Sequence, residues 1–105
     1  MKIERRNRTA LWRIVERMID TNIVLYQAEW CPYCARVRQV LTDLLLDYKI
    51  VNVPIDHAER GALQEIFGTT GIPSMIDGEV KIADDDDAII AYLRKTYAEP
   101  AARGA

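Results

Sequence analysis

Two cysteines stand three positions apart, shortly after a run of β-branched and aromatic residues. The run is Ile23-Val24-Leu25-Tyr26, which is typical of a buried strand, and the cysteines are Cys31 and Cys34. Pro32 follows the first cysteine and is favoured at the first position of a helix. A disulfide between the two cysteines would close a very short loop and remove little entropy from the unfolded chain. The pair therefore indicates redox chemistry and not a structural staple.

Hydrophobic spacing predicts four helices and four strands. Apolar residues at intervals of three and four predict an N-terminal helix within residues 1–21, a second helix over 32–46, a short helix around 63–67 and a last helix opened by residues 84–87. Strands are predicted over 23–26, 50–53, 74–76 and 79–82, and Asp77-Gly78 marks a hairpin between the last two.

The order of these elements, α-β-α-β-α-β-β-α, constrains the fold. The second helix connects two strands that would lie parallel, and the hairpin adds an antiparallel pair. We therefore expect an α/β fold with a four-stranded mixed sheet flanked by helices. With Cys-x-x-Cys at the first strand-to-helix junction, this is the thioredoxin-like architecture. The 105 residues fit one domain, 1–105, in which residues 98–105 are expected to form a flexible tail.

Composition narrows the class of protein. Fourteen basic residues against sixteen acidic ones give a formal charge of -2, without the basic surplus of a nucleic-acid binder. No apolar run approaches the roughly 20 residues of a membrane-spanning helix, and no apolar core of a signal peptide follows the basic start. We expect a cytoplasmic monomer with neither nucleic acid nor membrane as a partner.

The position of Cys31 predicts its reactivity. Backbone N–H groups in the first turn of a helix lack intrahelical partners, and the helix dipole adds partial positive charge there. Both effects favour a thiolate on Cys31. Cys34 lies one turn deeper on the same helical face. We expect Cys31 to be the nucleophile and Cys34 the resolving thiol.

The chain resembles the glutaredoxins in three segments. These are Trp30-Cys31-Pro32-Tyr33-Cys34, Gly71-Ile72-Pro73 and the acidic stretch over 84–87. The resemblance implies that Pro73 is cis and faces the active-site cysteine, with Pro32 and Tyr33 supporting the site. It further implies that no cofactor is bound and that glutathione is the co-substrate. The backbone of Ile72 would bind its cysteinyl part, and Asp85 and Asp86 its γ-glutamyl end.

Several positions depart from that family's pattern. Gln27 stands where many glutaredoxins have a lysine, and Gly71 stands where threonine is frequent. Ala83-Asp84 replaces the usual glycine pair. The segments 72–78 and 85–93 also look like the N-terminal domain of glutathione transferases. Because those enzymes need a second, helical domain, we retain the shared glutathione site and not the transferase reaction.

Three functions follow from these residues. The first is a glutaredoxin-type oxidoreductase that reduces glutathione mixed disulfides or protein disulfides. The second is an electron donor of the same shape, reduced by a flavoprotein such as thioredoxin reductase or by another low-molecular-weight thiol. The third is a carrier of a metal or an iron–sulfur cluster. Tetrahedral zinc needs four ligands, and His57 is the one other obvious candidate beside the two cysteines, so we predict no metal site in a monomer.

Overall fold

The computed structural model describes residues 20–102, which form a four-stranded sheet with helices. The elements in chain order are β1 (Ile23–Gln27), α1 (Pro32–Asp43), β2 (Lys49–Asn52), a 3₁₀ helix (His57–Glu59), α2 (Gly61–Phe67), β3 (Ser74–Asp77), β4 (Val80–Ile82), α3 (Asp86–Thr96) and a second 3₁₀ helix (Pro100–Ala102).

The sheet has the strand order β2-β1-β3-β4. β1 pairs parallel with β2 and antiparallel with β3, and Leu25 lies opposite both Ile50 and Met75. β3 and β4 form the predicted hairpin, in which Gly78 takes a φ of 61° that L-residues rarely adopt. The mixed sheet and the order of the elements after residue 20 agree with the prediction. The predicted N-terminal helix lies outside the described residues, apart from its last two positions.

The core fills the space between the sheet and the two long helices. β1 and β3 contribute Leu25 and Met75, and α1 and α3 contribute Leu41 and Leu93, all of them fully buried. Burying a side chain of this size contributes about 1.5–3 kcal/mol. These contacts fix α1 against the carboxyl end of β1, which is where the cysteines lie.

Several predicted boundaries were wrong by one to three residues. The helix predicted to reach Leu46 ends at Asp43, because Leu45 has a φ of 51° and breaks the helical path. Leu44 and Leu46 are nevertheless buried, so their apolar character reflects the core and not a further helical turn. The last helix begins at Asp86 and not at the predicted Asp84, since Asp85 is its N-cap.

Three strands differ slightly from the predicted ranges at their ends. The second strand covers 49–52 where 50–53 was predicted, and the third extends to Asp77. β4 is one residue shorter than predicted at its start. Within the tail predicted over 98–105, the structure has a short 3₁₀ helix at Pro100–Ala102, and residues 103–105 lie outside the described part. No helix among the described residues is long and apolar enough to cross a membrane.

Candidate active site

Cys31 is the N-cap of α1. Its backbone is extended, with φ -81° and ψ 118°, and Pro32 follows in the first helical turn. The Cys31 Sγ accepts a hydrogen bond from the backbone N–H of Cys34 at 3.4 Å. The side chain is thus held where unpaired helical N–H groups point, which is the geometry that stabilises an anion. Cys31 is 6% exposed, so an edge of the residue reaches solvent.

Cys34 is fully buried beside Cys31, and no disulfide joins them. Burial raises the pKa of Cys34 to about 12, and the neighbouring Cys31 also raises it. Two interactions act in the opposite direction: a backbone hydrogen bond from Ala28 and the charge of Arg38 lower this pKa. Cys34 is therefore a neutral thiol at physiological pH, which suits a group that acts only after Cys31 has reacted.

The Ile72–Pro73 segment closes one side of the dithiol. The peptide bond between these residues is cis, as the family resemblance implies. Ile72 packs against the cluster formed by Ala28, Cys31 and Cys34, and Pro73 is fully buried. Ile72, the residue predicted to bind substrate through its backbone, thus lies beside the cluster that contains both cysteines.

Two departures from the glutaredoxin pattern meet in space. A Cβ atom added to Gly71 would overlap the carboxylate of Asp84. Asp84 itself has a φ of 48°, in the left-handed region where the family has glycine. Ser74 Oγ links the two segments: it donates to Gly71 O at 3.0 Å and accepts from Asp84 N at 2.9 Å. The side chain missing at 71 makes room for the one added at 84.

The acidic start of α3 is largely engaged within the protein. Asp85 caps the helix, since its Oδ1 accepts from the Ala88 N–H at 2.9 Å. Asp86 and Asp87 both bind the Arg36 guanidinium, Asp87 at 2.9 Å. These hydrogen bonds, that of Asp87 first, raise the pKa of Arg36. Any ligand ammonium at Asp86 would therefore have to share this carboxylate with Arg36.

Large hydrophobic side chains are exposed close to Cys31 in the chain and in the neighbouring loop. Trp30 and Tyr33 flank the cysteine and are each 60% exposed. Ile55, in the loop after β2, is also well exposed. This loop follows the strand that lies parallel to β1, so it emerges at the same edge of the sheet as the cysteines.

A buried arginine that the sequence did not single out connects this loop to the cis-proline segment. Arg60 donates to Pro54 O at 2.7 Å, to Ile55 O at 3.1 Å and to Thr70 O at 2.9 Å. His57 is the first residue of an exposed 3₁₀ helix and contacts Thr70 Oγ1 at 2.9 Å. Arg60 thus fixes the backbone immediately before Gly71.

A second buried polar group lies beneath the cysteine turn. The side chain of Gln27 is fully buried and donates from Nε2 to Asn52 Oδ1 at 2.6 Å. Its Oε1 accepts a hydrogen bond from Arg38.

Over residues 20–102, no group of three or more histidine, cysteine or acidic side chains is arranged to hold a metal ion.

Comparison with known proteins agrees with this arrangement. The family described as "Glutathione S-transferase, N-terminal domain" matches residues 25–101. A glutaredoxin of Pseudomonas aeruginosa is 31% identical over 65 residues, which cover 62% of this chain and 77% of that protein. Glutaredoxin-C4 of Arabidopsis thaliana is 30% identical over 84 residues, 74% of this chain and 61% of the plant protein.

Solved structures give the same fold. A glutathione transferase homolog from Drosophila mojavensis, with bound glutathione, superimposes with a TM-score of 0.68 at 28% identity, covering 73% of this chain and 36% of the homolog. The chain thus spans little more than a third of that transferase. A buckwheat glutaredoxin–glutathione complex has a TM-score of 0.59 at 21% identity, covering 90% and 88% of the two chains, and shows the fold. The thioredoxin-like fold is confirmed, and the chain belongs to the glutaredoxin family, whose fold it shares with the N-terminal domain of the glutathione S-transferases.

Proposed function

We propose that this protein is a cytoplasmic thiol–disulfide oxidoreductase in which Cys31 is the nucleophile and Cys34 the resolving thiol. The observation that carries the proposal is the asymmetry of the pair. Cys31 caps a helix and keeps 6% of its surface exposed, whereas Cys34 is fully buried beside it with a pKa raised by burial. A pair of this kind can attack a disulfide with one sulfur and keep the other in reserve.

The reaction has two transfers. The Cys31 thiolate attacks one sulfur of the substrate disulfide, forms a mixed disulfide and releases the other substrate sulfur as a thiolate. The adduct is then attacked either by a second external thiol or by Cys34. Attack by Cys34 closes the Cys31–Cys34 disulfide, releases the second substrate thiol and gives up the Cys34 proton. The two cysteines are thereby oxidised, and the substrate disulfide is reduced to two thiols.

Glutathione is the co-substrate that we propose. The support comes from the Ile72 backbone beside the thiols, the Asp85–Asp86 start of α3 and the glutathione named with two similar structures. Ile72 would pair with the cysteinyl part of the ligand as an added strand. Asp85 would offer its backbone N–H, and Asp86 would exchange part of its ion pair with Arg36 for the ligand ammonium.

A second candidate uses the same dithiol with a different reductant, a flavoprotein such as thioredoxin reductase. It is favoured by the Asp84 carboxylate over Gly71, which adds negative charge beside the Ile72–Pro73 segment. Glutathione carries net negative charge, so this carboxylate opposes its binding. A protein reductase contacts a wider surface and is less sensitive to one charge.

The deciding experiment is NADPH consumption with a small disulfide substrate, run in parallel with two reducing systems. One contains glutathione and glutathione reductase, and the other contains thioredoxin reductase alone. We expect turnover with glutathione, abolished in Cys31→Ser. Cys34→Ser should retain turnover of glutathione mixed disulfides, because an external thiol can resolve the adduct.

The variants test the roles of the cysteines, and the two reducing systems test the reductant. Full activity of Cys31→Ser together with an inactive Cys34→Ser would reverse the assignment. Turnover only with thioredoxin reductase would establish the second candidate. No turnover in either system would reject both reductants.

A further inference from the structure

The turn that carries Cys31 is tied to one arginine of α1. Arg38 donates from Nη1 to the Gln27 side chain and reaches Ala28 O at 3.4 Å. Its Nη2 reaches Glu29 O, also at 3.4 Å. Arg38 is only 18% exposed, and its contacts with Gln27 and Ala28 are partly buried. A guanidinium is suited to this task because its planar fork presents several donors in fixed directions.

The backbone of Ala28, which Arg38 contacts, is hydrogen-bonded to both cysteines. Its carbonyl, which Arg38 approaches, also accepts the backbone N–H of Cys31 at 3.1 Å. The backbone N–H of Ala28 donates the hydrogen bond that lowers the pKa of Cys34. Arg38 also stands four residues after Cys34, on the same face of α1. One cation thus touches the backbone that positions Cys31 and lies near the buried sulfur.

We propose that Arg38 is a positioning residue for the resolving step, in which the Cys34 thiolate attacks the Cys31 sulfur of the mixed disulfide. This inference rests on the proposed dithiol function. The cation favours the anionic form of Cys34 against the effect of burial, and the same contacts hold the two sulfurs in register. The charge of Arg38 lowers the pKa of Cys34, in agreement with this role.

Cys31 and Arg38 act on Cys34 through their charges. Arg38 faces Cys34 from α1, and Cys31 faces it from the preceding turn. Glu29 forms an ion pair with Arg38 at 3.4 Å and is 79% exposed. The Glu29 carboxylate partly neutralises the Arg38 charge that acts on the buried sulfur of Cys34. Neutralising Glu29 should therefore strengthen the effect of Arg38 on Cys34.

The two chemical steps are separable with one equivalent of Ellman's reagent, a symmetrical aromatic disulfide whose thiolate is coloured. Attack by Cys31 releases one aromatic thiolate and leaves the other bound to Cys31. Attack by Cys34 then releases the second and closes the internal disulfide. Stopped-flow absorbance follows both phases, and Cys34→Ser should lack the second.

For Arg38→Gln we expect an unchanged first phase and a slower second phase. A roughly tenfold loss of thiolate slows the attack about threefold, once the higher nucleophilicity of a more basic thiolate is counted. Loss of alignment adds to this, so the second phase should be about three- to tenfold slower. Arg38→Lys keeps the charge and should give an intermediate rate. Arg94→Gln, a surface arginine of α3, is the matched control and should leave both phases unchanged.

Glu29→Gln tests the inference without disturbing the buried contacts, and it remains informative if Arg38→Gln fails to fold. We expect it to accelerate the second phase, up to about twofold, because an exposed pair is well screened. A slower or unchanged second phase in Glu29→Gln would overturn the inference. So would an Arg38→Gln variant whose two phases slow equally, or neither of which slows. If the wild-type protein released no aromatic thiolate at all, the proposed function itself would fail.

Discussion

Gly71 and Asp84 form a steric pair whose coupling can be measured. A Cβ atom at 71 would overlap the Asp84 carboxylate, whose backbone is fixed by the hydrogen bond from its N–H to Ser74. In Gly71→Ala the carboxylate must rotate or the segment must shift. Overpacking of this kind costs about 1–3 kcal/mol of the free energy of unfolding.

The sign of this effect should depend on residue 84. Gly71 has no left-handed φ, so alanine fits its backbone. Replacing glycine by alanine at such a position stabilises a protein by about 0.4–1 kcal/mol through the unfolded state. In an Asp84→Gly background the overlap is gone, and Gly71→Ala should then be stabilising. In the wild-type background the same change should be destabilising by up to about 2 kcal/mol.

The assay is equilibrium urea unfolding of the four proteins of the double-mutant cycle. The expected coupling free energy is about 1–3 kcal/mol, well above the few tenths seen for independent sites. Asp87→Asn, at an exposed position three residues away, replaces Asp84→Gly in the control cycle and should show no coupling to residue 71. If Gly71→Ala destabilised both backgrounds by the same amount, the Asp84 carboxylate would not be its cause.

Three further predictions concern stability. Burial raises the pKa of Cys34 to about 12, so the unfolded chain loses this proton at a lower pH than the native protein does. The free energy of unfolding should therefore fall by about 1 kcal/mol between pH 8 and 10, relative to that of Cys34→Ala. Urea unfolding at both pH values checks this, and parallel stability curves would contradict it. Asp77 accepts hydrogen bonds from the hydroxyls of Tyr92 at 2.7 Å and Tyr97 at 2.6 Å, so Tyr97→Phe should lower the free energy of unfolding by about 1.5 kcal/mol. An unchanged midpoint and slope in urea would show that water replaces this bond without loss. Arg60→Met leaves three backbone carbonyls without their donor, so it should lower the free energy of unfolding by about 3 kcal/mol or more. It should also speed hydrogen exchange at 69–71. If hydrogen exchange at 69–71 kept its wild-type rates in Arg60→Met, Arg60 would not be the residue that positions this segment.

The features predicted well are those that depend on residues close together in the sequence. The strand before Cys31, the proline at the helix start and the Asp77-Gly78 turn are local signals, and each stands where expected. The cis peptide at Pro73 followed from the family resemblance and not from composition or spacing.

What the sequence did not reveal are contacts between distant positions. Gly71 and Asp84 read as two separate departures, because nothing in their spacing shows that one carboxylate fills the space above the glycine. The hydrogen bond from Arg38 of the following helix to the side chain of Gln27 is another contact of this kind. A buried arginine such as Arg60 has no local signature, since arginine is nearly always exposed. These arrangements depend on how the sheet and helices pack, which hydrophobic periodicity leaves undetermined.

The depth difference between the two cysteines also bears on oxidative damage. Peroxide reaches Cys31 first, because Cys34 has no exposed surface. A sulfenic acid formed on Cys31 lies beside a thiol that can condense with it, releasing water and forming a disulfide. That condensation diverts Cys31 from the sulfinic and sulfonic acids, which thiols cannot reduce. The fully buried partner should thus keep oxidation of Cys31 within the range that thiols can reverse.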